Sequence, residues 1–469
     1  MALLSNVIVV LKGRGLIRIQ QPIRHGYLYL QHLFHMLGQW LGYVLEGNRR
    51  KSTIAPLDGI RAIACLSVVA YHLTLVTTHD IVLWKPDQLP PVISALAFAG
   101  DTGVTLFFLL SGFLLFLPYA KSLLFDAPWP SMRFFYFRRA LRILPAYYVT
   151  LLLMILLEHH EYLQRDHLVR LGLFLTLFMD SFPQTYRELN GPFWSLAVEW
   201  QFYLLLPFLA LAIAWIVRRG SLKRRVCLLM ACLSAVIAWG LLSRYGGIYL
   251  TAHPDQSFLV PRSVLNVIMP FVYGAQGSGL HGKFLEDFAV GMLLSSCYTV
   301  ARALPPESRL NELLRRLHPW LWVVGLLWLL VMACWKFNLD NPHTWLVLDQ
   351  FPPVYNYVSE LGFSIGYGLC IAAILFGASW LRAPFEWSPL RWLGILSYGL
   401  YMWHLKLLEF FTSHFVIFLQ GWWNAALYSL YWGWLFVFIV PCMFLLFVLV
   451  EKPWVDLGNK SREREQRSG

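Results

Sequence analysis

The sequence predicts an all-α membrane protein, a polytopic bundle of about ten transmembrane helices with both termini cytoplasmic. Three observations carry that prediction. Of 469 residues, 58% are hydrophobic and only 14% charged, with a mean hydropathy of +0.55. The apolar residues form solid blocks, most of them of a length that lets a helix cross the hydrocarbon layer; a β-barrel would show short alternating segments instead. The basic residues behind the net charge of +12 gather in alternate gaps between blocks, as topogenic charges do. Such clusters meet anionic lipid head groups and set orientation, and are no nucleic-acid signature.

The blocks fall at about 57–77, 101–120, 139–157, 193–216, 226–243, 284–300, 319–336, 358–381, 392–417 and 428–450. Arg49, Arg50 and Lys51 precede the first, Arg138, Arg139 and Arg142 follow the second, and Arg218 to Arg225 follow the fourth. Arg315 and Arg316 follow the sixth, and Arg382 and Arg391 the eighth. Alternation puts all of them on the cytoplasmic side. Residues 171–182 (LGLFLTLFMDSF) would break the alternation as a span; they suit an interfacial or re-entrant element. Connections 244–283 and 337–357 then face outward, with Pro, Gly and aromatic residues fit for an ordered lid. Residues 27–46 set Gln31, His35 and Gln39 on one narrow stripe of an apolar helix, which suits a helix lying in the interface. No basic leader with a small-residue cleavage site opens the chain, so no cleaved signal peptide is expected. The expected organisation is an interfacial extension (1–54), a transmembrane domain (55–455) and a charged cytoplasmic tail (456–469).

The first block holds two ionisable groups eleven residues apart, Arg61 and His72. Eleven steps of 100° return nearly to one helix face, so the two lie in line and roughly 16 Å apart. Ionisable groups in a spanning helix face a polar interior by default. A neutral imidazole can act as a general base near neutral pH, or else hydrogen-bond between helices. Arg61 stays charged and is drawn to phosphate or carboxylate, or snorkels to head groups. Asp101 opens the second block, and Ser111-Gly112 near its middle allows close approach of a substrate or of another backbone. No nucleophile-elbow context surrounds Ser111. Arg139 and Arg142, three apart, neighbour each other on one helix surface and form a candidate phosphate grip. Glu199 lies several residues into the fourth block, in the half expected to hold His72. Tyr398, Tyr401 and His404 sit mid-block in the ninth, His404 reading as a packing or supporting group. The seven cysteines show no CxxC or metal spacing, and His159, His160 and His167 fit no zinc pattern. No metal is expected.

Taken together, these segments resemble the type-3 membrane acyltransferases, integral-membrane enzymes that O-acylate sugars and other exported molecules. The resemblance rests on LDGIRAIACLSVVAYH, DTGVTLFFLLSGFLL, FRRALRILPAYY, FWSLAVEWQFYLLLP, FLEDFAVGML and LSYGLYMWH, in family order, and runs from about residue 55 to 455. It implies that His72 is the catalytic histidine with Arg61 as companion, and that Arg139 and Arg142 handle an acyl-CoA donor. It also matches Ser111, Gly112 and Phe113 to the family's Ser-Gly-Phe motif and Glu199 to its helix-borne glutamate. The N-terminal extension departs from the pattern. No esterase-like domain of the kind fused to some members is expected, which leaves the acceptor class open.

The resulting expectation is a multi-pass plasma-membrane O-acyltransferase with no permanently bound cofactor. It would move an acyl group, expected to be acetyl, from cytosolic acyl-CoA to a hydroxyl of an extracytoplasmic carbohydrate or glycolipid. His72 would act as base, Glu199 or Asp101 would position the acceptor or the imidazole, and Arg61, Arg139, Arg142, Ser111 and Gly112 would receive the donor. The alternative class is a secondary transporter, which intramembrane charges also suit, although no internal repeat is visible.

Overall fold

The computed structural model describes residues 36, 38, 39, 41–45, 54–80, 83, 88–253, 255, 256, 260–275, 282–419 and 423–468. The chain divides into two units, Met1–Thr53 and Ile54–Gly469. In the first, the described residues between 36 and 45 are helical. Gln31, His35, Arg49, Arg50 and Lys51, on which the interfacial reading also rests, lie outside the described residues.

The second unit is helical throughout, with no strand among the described residues. Its main helices are α1 (Pro56–Leu75), α2 (Gly103–Phe125), α3 (Met132–Leu157), α4 (Phe193–Val217) and α5 (Leu222–Ala252). They continue with α6 (Leu285–Ala303), α7 (Arg309–Asp340), α8 (Pro352–Phe376), α9 (Ser388–His414) and α10 (Asn424–Lys460). Each predicted block coincides with a helix over most of its length. Eight helical segments among the described residues are long and apolar enough to cross a membrane; α6 and α9 are not among them. A helix enclosed by other helices need not be apolar. Accordingly α6 buries Glu286, Asp287, Ser295 and Ser296 between α2, α5 and α8.

Burial separates centre from periphery. In α2, 78% of the apolar window is buried inside the protein, against 17% in α5 and in α7. The central crossing joins two of the sequence motifs through glycine. A Cβ on Gly112 would stand 2.1 Å from the Phe288 carbonyl oxygen, and one on Gly291 would stand 2.0 Å from that of Leu109. Lipid tails are as apolar as side chains, so close backbone approach and dispersion contacts, rather than water exclusion, hold such helices together. Gly112 is therefore a packing residue. Of the two expected uses of this glycine, close approach of another backbone is the one seen here.

α1 begins with Pro56 in its first turn and Asp58 close behind, both favoured at a helix N-terminus. It ends in a π-helical turn, Val76–Asp80, just beyond His72. Widening the helix there displaces its carbonyls from the regular ladder. The Thr77 and Thr78 hydroxyls donate to the Leu73 and Thr74 oxygens, each at 2.8 Å.

One connection agrees with expectation and another departs from it. Residues 171–182 contribute a helix of only eight residues, Leu168–Leu175, about 12 Å long at 1.5 Å per residue and too short to cross. The predicted lid at 244–283 begins later than expected, because α5 continues to Ala252 through Gly246 and Gly247. The missing side chain at Gly247 admits the Tyr273 ring, 2.2 Å from where a Cβ would stand. Arg244 thereby falls inside a helix. It is fully buried and its Nε donates to Glu286 at 3.0 Å in an ion pair equally buried. Beside the pair, Ser364 donates to Asp287 at 2.8 Å.

Candidate active site

The His72 side chain is half-buried and its Nδ1 lies 3.0 Å from the Val68 carbonyl oxygen, one turn back. A carbonyl only accepts, so Nδ1 carries the proton and Nε2 keeps a lone pair. The same Nδ1–H reaches Nε2 of His404 at 3.1 Å. His404 is fully buried, and its own Nδ1–H donates to Leu400 O at 3.1 Å. Both tautomers are thus set by backbone carbonyls, and His404 supports His72 from behind. Replacing His404 by Phe keeps the bulk and removes the acceptor. A hydrogen bond to a charged group contributes about 1.5–3 kcal/mol, so kcat for acyl transfer is expected to fall roughly ten- to a hundredfold. KM values should stay put, and an unchanged kcat would remove His404 from this role.

His72 lines a cavity of about 560 Å³, within the range of small-ligand pockets. Asp101 joins it from the 3-10 turn Ala99–Thr102 that precedes α2. Asp101 is paired with Lys336 at the end of α7, whose ammonium lies 5.6 Å from the centre of the Tyr71 ring. Glu360 of α8 accepts from Thr105 at 2.8 Å. Tyr401 exchanges a 2.6 Å hydrogen bond with Ser195. Aromatic walls with fixed polar groups between them suit a polar ligand with apolar faces, such as a sugar ring. Tyr186, in the connection before α4, also lines the cavity. Burial raises its phenol above the ordinary value, with the Arg187 guanidinium opposing, so the hydroxyl stays protonated near neutral pH.

The second constellation forms around Glu199. Ser111 donates to Glu199 Oε1, and so does Tyr203 at 2.6 Å. The Arg139 guanidinium lies 5.8 Å from the Tyr203 ring centre, and Arg61 has Arg142, Glu199, Asp58 and Tyr203 as electrostatic neighbours. Glu199 is absent from the lining of the His72 cavity. Its hydrogen-bond donors are Ser111 and Tyr203 rather than a group of that cavity. Its depth in α4 matches Ser111 in α2, and two hydroxyl donors plus neighbouring guanidinium groups satisfy it there. Arg61, Arg139 and Arg142 are each half-buried. Three guanidinium groups thus gather around Glu199, with Asp58 near Arg61 and Glu451 near Arg142, and clustered guanidinium groups suit phosphate. Arg138 instead donates to Phe134 O of its own helix at 3.3 Å.

The structure thus sorts the expected residues into two groups. His72 and Asp101 meet at the cavity, whereas Arg61, Arg139, Arg142, Ser111 and Glu199 meet at the other constellation. Lys336, Glu360 and Arg187 also line the cavity, and sequence reading passed over all three. The signal that marked His72 was available for Lys336 and Glu360, since each lies within an apolar block. Arg187, in a polar connection, offered none.

The family profile of the acyltransferase domain matches residues 54–451. Over 438 residues the chain is 27% identical to YrhL of Bacillus subtilis, a protein named provisionally as a peptidoglycan O-acetyltransferase, covering 88% of this chain and 56% of that protein. It is also 27% identical over 401 residues to the peptidoglycan O-acetyltransferase OatA of Listeria monocytogenes, covering 80% and 52%. A provisionally named O-acetyltransferase of Staphylococcus aureus is 24% identical over 381 residues, covering 77% and 52%. The chain spans just over half the length of these curated relatives. No solved structure matches it.

Proposed function

Because the chain belongs to the type-3 membrane acyltransferase family, matched from residue 54 to 451, we propose that it acetylates a hydroxyl of a cell-envelope glycan at the His72 cavity. The names of two relatives point to peptidoglycan as the acceptor. The observation that carries the reading is the tautomer of His72: with Nδ1 bound to Val68 O, Nε2 is the nitrogen left to accept a proton beside a cavity.

The step balances without further reagents. An acceptor hydroxyl gives its proton to His72 Nε2 while its oxygen attacks the carbonyl carbon of an acyl thioester. The C–O bond forms, the C–S bond breaks, and the imidazolium returns the proton to the departing sulfur. The donor in this proposal is cytosolic acetyl-CoA. Arg139 and Arg142 would hold its phosphates, and Arg61 would steer its arm along α1 towards His72. The supporting feature is the cluster of three guanidinium groups around Glu199. Asp101 would act through Lys336 to shape the acceptor end, and Glu199 would hold Ser111 and Tyr203 at the donor end.

Cells with and without the gene provide the test. Mass spectrometry of their envelope glycans should show alkali-labile acetyl groups that disappear with the gene, and purified protein should restore them from acetyl-CoA labelled in the acetyl group. Glycans of identical acetyl content in the two strains would overturn the proposal. Restoration from another acyl donor, but not from acetyl-CoA, would overturn the donor assignment alone.

A further inference from the structure

We infer that the acceptor carries an anionic oxygen group, a phosphate or a carboxylate, and that Arg187 at the His72 cavity holds it; this rests on the acyl-transfer reading of that cavity. Arg187 lines the cavity while remaining exposed, so it stands at the mouth. Its charge reaches Tyr71, His72 and Tyr401.

Three lysines around this end of the protein have a carboxylate partner. Lys336 pairs with Asp101, Lys283 with Asp180, and Lys406 with Glu158 and Glu409. Among the described residues no carboxylate pairs with Arg187. The adjacent Glu188 is engaged by Arg170 at 3.2 Å. The Arg187 guanidinium lies 5.0 Å from the centre of the Tyr186 ring. A ring fixes a guanidinium through its face, which leaves the N–H edge able to grip two anionic oxygens at once.

The backbone supplies an independent observation. Arg187 has φ +59°, the left-handed region that costs a residue with a Cβ about 1–2 kcal/mol. Such strain persists only where surrounding contacts hold it, and it concentrates at ligand sites. The turn is held on both sides: Thr185 donates to Met179 O and Asn190 donates to Met402 O, each at 2.8 Å. A strained, anchored turn therefore presents a cation with no carboxylate partner among the described residues at the mouth of a cavity lined by Trp194 and Tyr355.

Calorimetric titration of the purified full chain in detergent tests this with N-acetylglucosamine 1-phosphate, glucuronic acid and neutral N-acetylglucosamine. At least one anionic sugar is expected to bind about tenfold or more tightly than the neutral one, the contribution of a charge-assisted contact. Arg187→Gln should abolish that preference and leave neutral-sugar binding unchanged, and Arg187→Lys should restore part of it, a rescue that a purely structural role would not give. Short-chain phosphatidylglycerol should not compete; competition would identify a lipid head group as the anion and overturn the proposal. Equal affinity for the three sugars, no saturable binding, or wild-type preference in Arg187→Gln would also overturn it. Binding is read without transfer, and on His72→Ala protein as well. The anion preference can thus fail while His72-dependent transfer stands, and the reverse.

Discussion

Replacing His72 by alanine is expected to lower the acyl-transfer rate at least about a hundredfold, the range for removal of a positioned general base. The loss should appear in kcat with little change in KM for either substrate, since a group acting on the transferred proton stabilises the transition state more than the bound ground state. The geometry makes the expectation specific. Nδ1 is committed to Val68 O and His404 Nε2, so only Nε2 can take the proton, and glutamine at this position offers no equivalent base. Arg139→Ala should behave differently, raising KM for the donor while acceptor KM holds, because Arg139 belongs to the Glu199 constellation. Initial rates with labelled acetyl-CoA on detergent-purified variants of unchanged elution volume check both. Wild-type turnover by a folded His72→Ala protein would sink the mechanism.

Truncating Arg244 to alanine is expected to destabilise the protein by about 3–5 kcal/mol, the cost of leaving one charge of a buried pair alone. Arg244 and Glu286 are each 1% exposed, and Gly240 lacks a side chain where the Glu286 carboxylate lies, 2.4 Å from a would-be Cβ. The pocket is thus shaped around the ionised pair, and among the described residues Arg244 is the side chain that donates to Glu286. The double variant Arg244→Met, Glu286→Leu should recover much of the loss, because buried pairs replaced jointly by apolar groups are often neutral. Thermal unfolding in detergent, followed by ligand-independent fluorescence, decides the matter. If Arg244→Ala melts at the wild-type temperature, the pair does not hold α5 to α6. The Arg244 guanidinium lies 5.4 Å from the centre of the Phe284 ring, which lines the His72 cavity, so the double variant also tests whether loss of the pair changes turnover.

Some of the site was legible because its signal is local. Arg61 and His72 are visible as a pair through the period of one helix, and Arg139 and Arg142 through a spacing of three on another. The partner of His72 was not legible, since His404 lies 332 residues away. The neighbours of Glu199 were not legible for a related reason. Its position in a block indicates depth only to within a turn or two, and the rotation of α4 about its axis decides whether it meets His72 or Ser111. Arg244 was placed in an outer connection, yet the helix runs on to Ala252 with Gly247 packed against Tyr273.

The sequence by itself determined that the chain is a helical membrane protein, where its helices run, and to which family it belongs. The bilayer enforces those features residue by residue, because a spanning segment must be apolar and must satisfy its own backbone. Only the tertiary structure decided which side chains meet. It separated Glu199 and the arginines from His72, supplied His404, and opened the cavity that Asp101, Lys336 and Arg187 line. Those choices follow from close helix crossings such as Gly112 against Phe288 and from pairings between polar groups far apart in the chain. Neither leaves a period in the sequence, since each depends on how two helices are rotated against each other.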